Sequence, residues 1–85
     1  MTAKELFESF GYKQTTNNDN LIAYKGPDDA AGYYKYIIFY HTYKEYEVDY
    51  SNIYQVLTHR LVYITINEHE AITKQMKELG WIWHN

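Results

Sequence analysis

The sequence predicts an α+β fold, an antiparallel sheet of three to four strands with the N- and C-terminal helices packed on one face. Three observations carry that prediction. "TAKELFESFGYK" and "TINEHEAITKQMKELGW" bracket the chain with capping-box spacing and helical apolar stripes. Between them lie short runs rich in β-branched and aromatic residues, separated by turn formers. One of these runs, "EYEVDY", alternates acids with apolar or aromatic residues, the period of a strand with one wet face.

The first helix is predicted from Thr2, which stands three residues before Glu5, so each side chain can satisfy the other's exposed backbone N–H. Leu6, Phe7 and Phe10 form its apolar stripe, and Gly11 is placed to stop it in a left-handed turn. "QTTNNDN" has no apolar residue and reads as a loop. "LIAYK" reads as a short strand, ended by the turn-forming "GPDDAAG".

"GYYKYIIFYHTYKEYEVDY" then holds seven of the chain's eleven tyrosines. It predicts two strands, "YYKYIIFYH" and "EYEVDY", joined tightly through "TYK". Glu45, Glu47 and Asp49 must face water, which turns Tyr46 and Val48 toward the core. A tight hairpin around Thr42 and Tyr43 sets Phe39 opposite Tyr46 and Ile37 opposite Val48. Ile37 and Phe39 are then core, and Tyr34, Tyr36, Ile38 and Tyr40 form the outer row. A loop one residue longer would exchange the two rows.

"SNIYQVLTHR" fits an irregular connection, a helical turn or a ragged strand. "LVYITI" reads as a possible fourth strand. The last helix repeats the capping-box spacing at Thr65 and Glu68. It carries Ala71, Ile72, Met76 and Leu79 on one stripe and stops at Gly80 before "WIW". Trp81 is expected to fold back over the last turn.

Bulk properties narrow the function. Eighty-five residues make one small domain, and with no cysteine the chain has neither disulfide nor thiolate zinc site to brace it. Aromatic packing must supply the stability. The acidic N-terminus is unlike a secretory signal, and no apolar run reaches membrane-spanning length, so the expectation is a soluble cytoplasmic protein. Eleven acids oppose eight bases, with Arg60 the lone arginine, which argues against generic duplex binding.

The catalytic inventory is thin. His41, His59, His69 and His84 make no metal-ligand spacing, and Gly11, Gly26, Gly32 and Gly80 are isolated, so no phosphate loop forms. Glu47 and Asp49 share a solvated strand face with no catalytic base set beside them. The sequence thus predicts no enzyme, no cofactor and no metal. What stands above background is the outer row Tyr34, Tyr36, Ile38 and Tyr40, rimmed by Glu45, Glu47 and Asp49, a pattern that suits a protein interface. The plain alternative, a tyrosine-rich strand face without a role, stands level with it. Stacking of single-stranded bases ranks third, because the neighbouring residues are acids.

The closing stretch adds a resemblance. "ITINEHEAITKQMKELGW" is similar to the ending of a group of short proteins encoded by phages and prophages of low-GC Gram-positive bacteria. Their pattern has an opening helix ending in Gly-Tyr, a few short strands, and a closing helix of the type A-I-x-K-Q-x-x-E-L-G-W. Ala71, Ile72, Lys74, Gln75, Glu78, Leu79, Gly80 and Trp81 stand at those places, and "ELFESFGYK" matches the opening. The resemblance implies a genetic setting and brings no catalytic residue with it. The expectation is a small non-enzymatic phage or prophage accessory protein that binds a host or phage protein, or itself. The alternative is a single-stranded nucleic-acid-binding module built on the aromatic face. A minor variant has the acids imitate phosphate to occupy a nucleic-acid-binding protein.

Overall fold

The computed structural model describes residues 1–52 and 61–82. Along the chain run α1 (Ala3–Ser9), β1 (Lys13–Asn17), β2 (Leu21–Lys25), β3 (Tyr33–Tyr40), β4 (Glu45–Asn52) and α2 (Ile66–Glu78). The strands form one antiparallel meander in the order β1-β2-β3-β4, with both helices packed on the same face. The expected α+β fold is therefore the observed one.

Both helices begin and end as their local chemistry dictates. Thr2 and Thr65 each accept a backbone N–H three residues on, and Glu5 and Glu68 reach back to complete the two capping boxes. At the other ends, Tyr12 N–H donates to the Phe7 carbonyl at 3.0 Å and Trp81 N–H to that of Met76 at 2.9 Å. Gly11 and Gly80 sit between them at φ of 95° and 77°, a region an L side chain rarely adopts. The likeness of "ESFGYK" and "KELGWI" is this shared stop.

The helices run antiparallel, tied at opposite ends. Ala3 N–H donates to Glu78 Oε2 at 2.8 Å, so the last residue of α2 caps the start of α1. The Tyr12 hydroxyl, just past α1, donates to Glu68 near the start of α2. Phe7, Ile22, Tyr24, Ile37, Phe39, Ala71 and Ile72 form the core between helices and sheet. Phe7 stacks on Tyr24 with centroids 4.1 Å apart, and Trp81 folds back to 6.1 Å from Phe39.

The β3–β4 register is the one the alternation predicts: Phe39 pairs Tyr46 and Ile37 pairs Val48 across a turn in which Lys44 takes φ 52°. Ile37 and Phe39 are fully buried. Tyr46 corrects the expected core face in part. It lies on the helix side with its ring 5.8 Å from Phe39, yet remains 45% exposed, because β4 is the sheet edge farthest from β1.

Two expected elements differ. "QTTNNDN" is not all loop: residues 13–17 form β1, and the loop is confined to the following turn. There Asn18 Oδ1 accepts from the Asn20 and Leu21 N–H groups, chemistry that closes a hairpin without apolar residues. "LVYITI" is not a strand, so the fourth strand is β1 instead. Pairing beside β4 would carry Thr65 toward the Glu45 end. Glu68, which accepts the Thr65 N–H, is instead held at Lys35, which pairs Tyr50 near the opposite end of β4. Leu61, Tyr63 and Ile66 stay exposed as a result. In "SNIYQVLTHR", Ser51 and Asn52 extend β4, while the reading of residues 53–60 falls outside the described residues, as do Trp83 and the sites at His59 and His84.

Candidate functional site

The outer face of the sheet assembles from cross-strand partners, which share a face in any antiparallel ladder. Tyr40 lies opposite Leu21 and Glu45, Ile38 opposite Ala23 and Glu47, and Tyr36 opposite Lys25 and Asp49. Lys13 on β1 lies opposite Lys25 and so joins the row of Tyr36. The structure thus brings Tyr34, Tyr36, Ile38, Tyr40, Glu45, Glu47 and Asp49 onto one face, and no described element packs over it. The tyrosines and Ile38 are half-buried among their neighbours, and the three acids are exposed.

The rings on this face are held in place. The Tyr40 hydroxyl donates to Glu47 Oε1 at 2.6 Å, and that carboxylate, with some burial, raises the pKa of the phenol. The Tyr36 hydroxyl and Thr15 Oγ1 lie 2.7 Å apart, Thr15 being the extra residue at the bulge in β1. Tyr34 sits 6.1 Å from Tyr36 and carries the Lys25 ammonium 4.4 Å above its ring. Fixed rotamers lose little entropy when a partner arrives.

The sequence did not reveal a second feature on the helix side. A cleft of about 380 Å³ is lined there by Tyr12, Tyr33, Lys35, Tyr50 and Glu68, among others. At its floor Lys35 Nζ meets Glu68 Oε1 at 2.6 Å, and the same oxygen accepts the Thr65 N–H at 2.8 Å. The Tyr12 hydroxyl takes the other carboxylate oxygen. Burial alone would raise the pKa of Glu68; the Lys35, Thr65 and Tyr12 donors together outweigh it and hold the carboxyl below its ordinary value. Burial first, and then the adjacent carboxylate, push the Tyr12 phenol far upward, so it stays a donor. With both oxygens engaged, this carboxylate acts as a clasp between β3, α2 and the end of α1. A signal for it was present: Lys35 shares the core-side row with Ile37 and Phe39, where a charge needs a partner.

The other candidates stay apart. His69 is exposed on α2 and His41 lies at the β3–β4 turn. Among the described residues no group of three or more His, Cys, Asp or Glu is placed to hold a metal, and no helix is long and apolar enough to cross a membrane. Comparison with protein-family profiles, curated protein sequences and solved structures found no match to the chain.

Proposed function

We propose that the chain is a small non-enzymatic binding module whose outer sheet face takes a protein partner. One observation carries this reading: both helices lie on one side of the sheet, leaving ordered aromatic and apolar side chains on the other, between lysines and acids. Interfaces favour that arrangement, an aromatic centre with a charged rim. The non-enzymatic part is supported by Glu68, whose oxygens are taken up by Lys35, Thr65 and Tyr12. The likeness of the closing helix to phage and prophage proteins supports an accessory role in that setting, with a host or phage protein, or a second copy, as partner.

The test is a surface variant that spares the core. Tyr36→Ala with Ile38→Lys is expected to keep the circular dichroism and a cooperative melt, and to lose the partner that the wild type retains. Unchanged capture by a folded variant would refute the reading. A second reading, single-stranded nucleic acid stacked on the tyrosines, draws on Lys13 and Lys25 in the row of Tyr36. Binding of a labelled oligonucleotide that weakens steeply with salt would favour it over the protein interface.

A further inference from the structure

We infer that the outer face takes a second copy of this chain, packed sheet on sheet about a two-fold axis that runs parallel to the strands between β2 and β3. This rests on the reading of that face as a binding surface, and it names the occupant.

The inference starts from two like-charge placements on the sheet: Lys25 has an ion pair with Asp28 at 3.7 Å along its own strand end, but neither group meets an opposite charge across the strands. Lys13 and Lys25 are direct cross-strand partners, a destabilising arrangement. On the far strand, Glu45, Glu47 and Asp49 alternate along one face with no base among them. Read across the four strands, one row runs Lys13, Lys25, Tyr36, Asp49. The next carries Ala23, Ile38 and Glu47, and a third Leu21, Tyr40 and Glu45. Bases therefore occupy the β1–β2 side and acids the β4 side, with small or apolar and aromatic residues between.

A two-fold parallel to the strands reverses each row onto itself. It lays Lys13 of one copy over Asp49 of the other, and Lys25 over Tyr36, twice by symmetry. Lys25 already takes a cation–π position on Tyr34 within its own chain, so the chemistry at that contact has a precedent in the molecule. Leu21 meets Tyr40, and Ile38 comes over the position of Ala23, which its own neighbours already bury to 2% exposure, in the middle of the face. A two-fold perpendicular to the strands would instead set bases over bases and acids over acids. Aligned sheet packing, with the faces about 10 Å apart, is a standard way for two such surfaces to meet. From strand spacing and rise the face is about 19 Å wide, about 26 Å long over β3 and β4 but about 17 Å over the shorter β1 and β2, which puts the contact at the small end of specific interfaces.

The experiment is a charge-swap measured by sedimentation velocity at low salt, over micromolar to near-millimolar protein. Wild type is expected to pass from monomer to dimer. Lys13→Glu with Lys25→Glu makes the charged rows of the face all acidic, and Glu45→Lys with Asp49→Lys makes them largely basic. Each, with folding verified by circular dichroism, is expected to shift the dimerisation midpoint upward about tenfold or more through like-charge contact. Mixing the two in equal amounts is expected to restore a dimer, since position 13 of one copy then meets the opposite charge at position 49 of the other, twice by symmetry. A wild type that stays monomeric, or two folded variants whose mixture remains monomeric while wild type dimerises, would overturn the inference. Failure of the binding surface itself reads differently: Tyr36→Ala with Ile38→Lys would then leave both dimerisation and partner capture unchanged. A monomeric wild type whose partner is lost in that variant would overturn self-pairing alone.

Discussion

Removing the clasp at Glu68 should come close to unfolding the protein. Glu68→Ala deprives Lys35, the Tyr12 hydroxyl and the Thr65 N–H of their shared acceptor, and the Lys35 and Glu68 side chains are only 15% and 8% exposed. Breaking a buried pair from one side costs about 3–5 kcal/mol, because the surviving charge stays out of water. Total stability for 85 residues is about 4–13 kcal/mol at typical values per residue, so the loss is a large share of it. Lys35→Met should cost less, about 2 kcal/mol, since Glu68 keeps two donors. The double variant Lys35→Met/Glu68→Ala should fall short of the sum of its single changes by about 1–3 kcal/mol, the coupling expected of groups in contact. Urea unfolding followed by tryptophan fluorescence measures all of these. The pH dependence gives an independent check. Glu68 is held below its ordinary pKa in the fold, so the unfolded chain takes up its proton first as pH falls. The stabilisation is complete above the ordinary value and disappears as pH falls through the folded one; Glu68→Gln should flatten that part of the profile. Strict additivity in the cycle, with an acid limb unchanged by Glu68→Gln, would refute the clasp.

Phe39→Ala should destabilise by about 3–5 kcal/mol, as an aromatic core truncation does, whereas Ile38→Ala on the outer face should cost well under half as much. Equal losses in denaturant unfolding would contradict the observed burial. Thr65→Ala should cost about 1 kcal/mol through its cap. A loss near zero would place the start of α2 elsewhere.

The parts of the fold legible in the sequence are those set by residues close together along the chain. Both capping boxes lie within three residues, and both helix stops within a glycine and its neighbours. The hairpin register followed from one strand, because acids at 45, 47 and 49 fix the faces of β4 and pairing then fixes those of β3. β1 was illegible for the opposite reason. Its helix-side contact is the Gln14 amide donating to the Tyr24 hydroxyl at 3.2 Å, which leaves no apolar alternation to read. "LVYITI" was misread because β propensity yields to tertiary ties, here the hold of Lys35 on Glu68. The clasp itself joins residues 12, 35 and 68, too far apart for spacing to announce.

The pattern that carries the phage resemblance also has a physical reading, and it bears on where function resides. Ala71 and Ile72 are buried against the sheet, and Gln75 accepts the buried Tyr24 hydroxyl at 2.6 Å. Glu78 caps α1, while Leu79, Gly80 and Trp81 end α2 and return an aromatic ring to Phe39. Almost every residue of the pattern thus holds the helix layer together or fastens it to the sheet. A protein sharing this helix would share the scaffold and need not share a partner. Selection for binding would act where these contacts do not reach, on the face opposite the helices. Lys13, Lys25, Tyr34, Tyr36, Ile38, Tyr40 and the β4 acids lie there away from the core, so a test of the proposed interface begins with them.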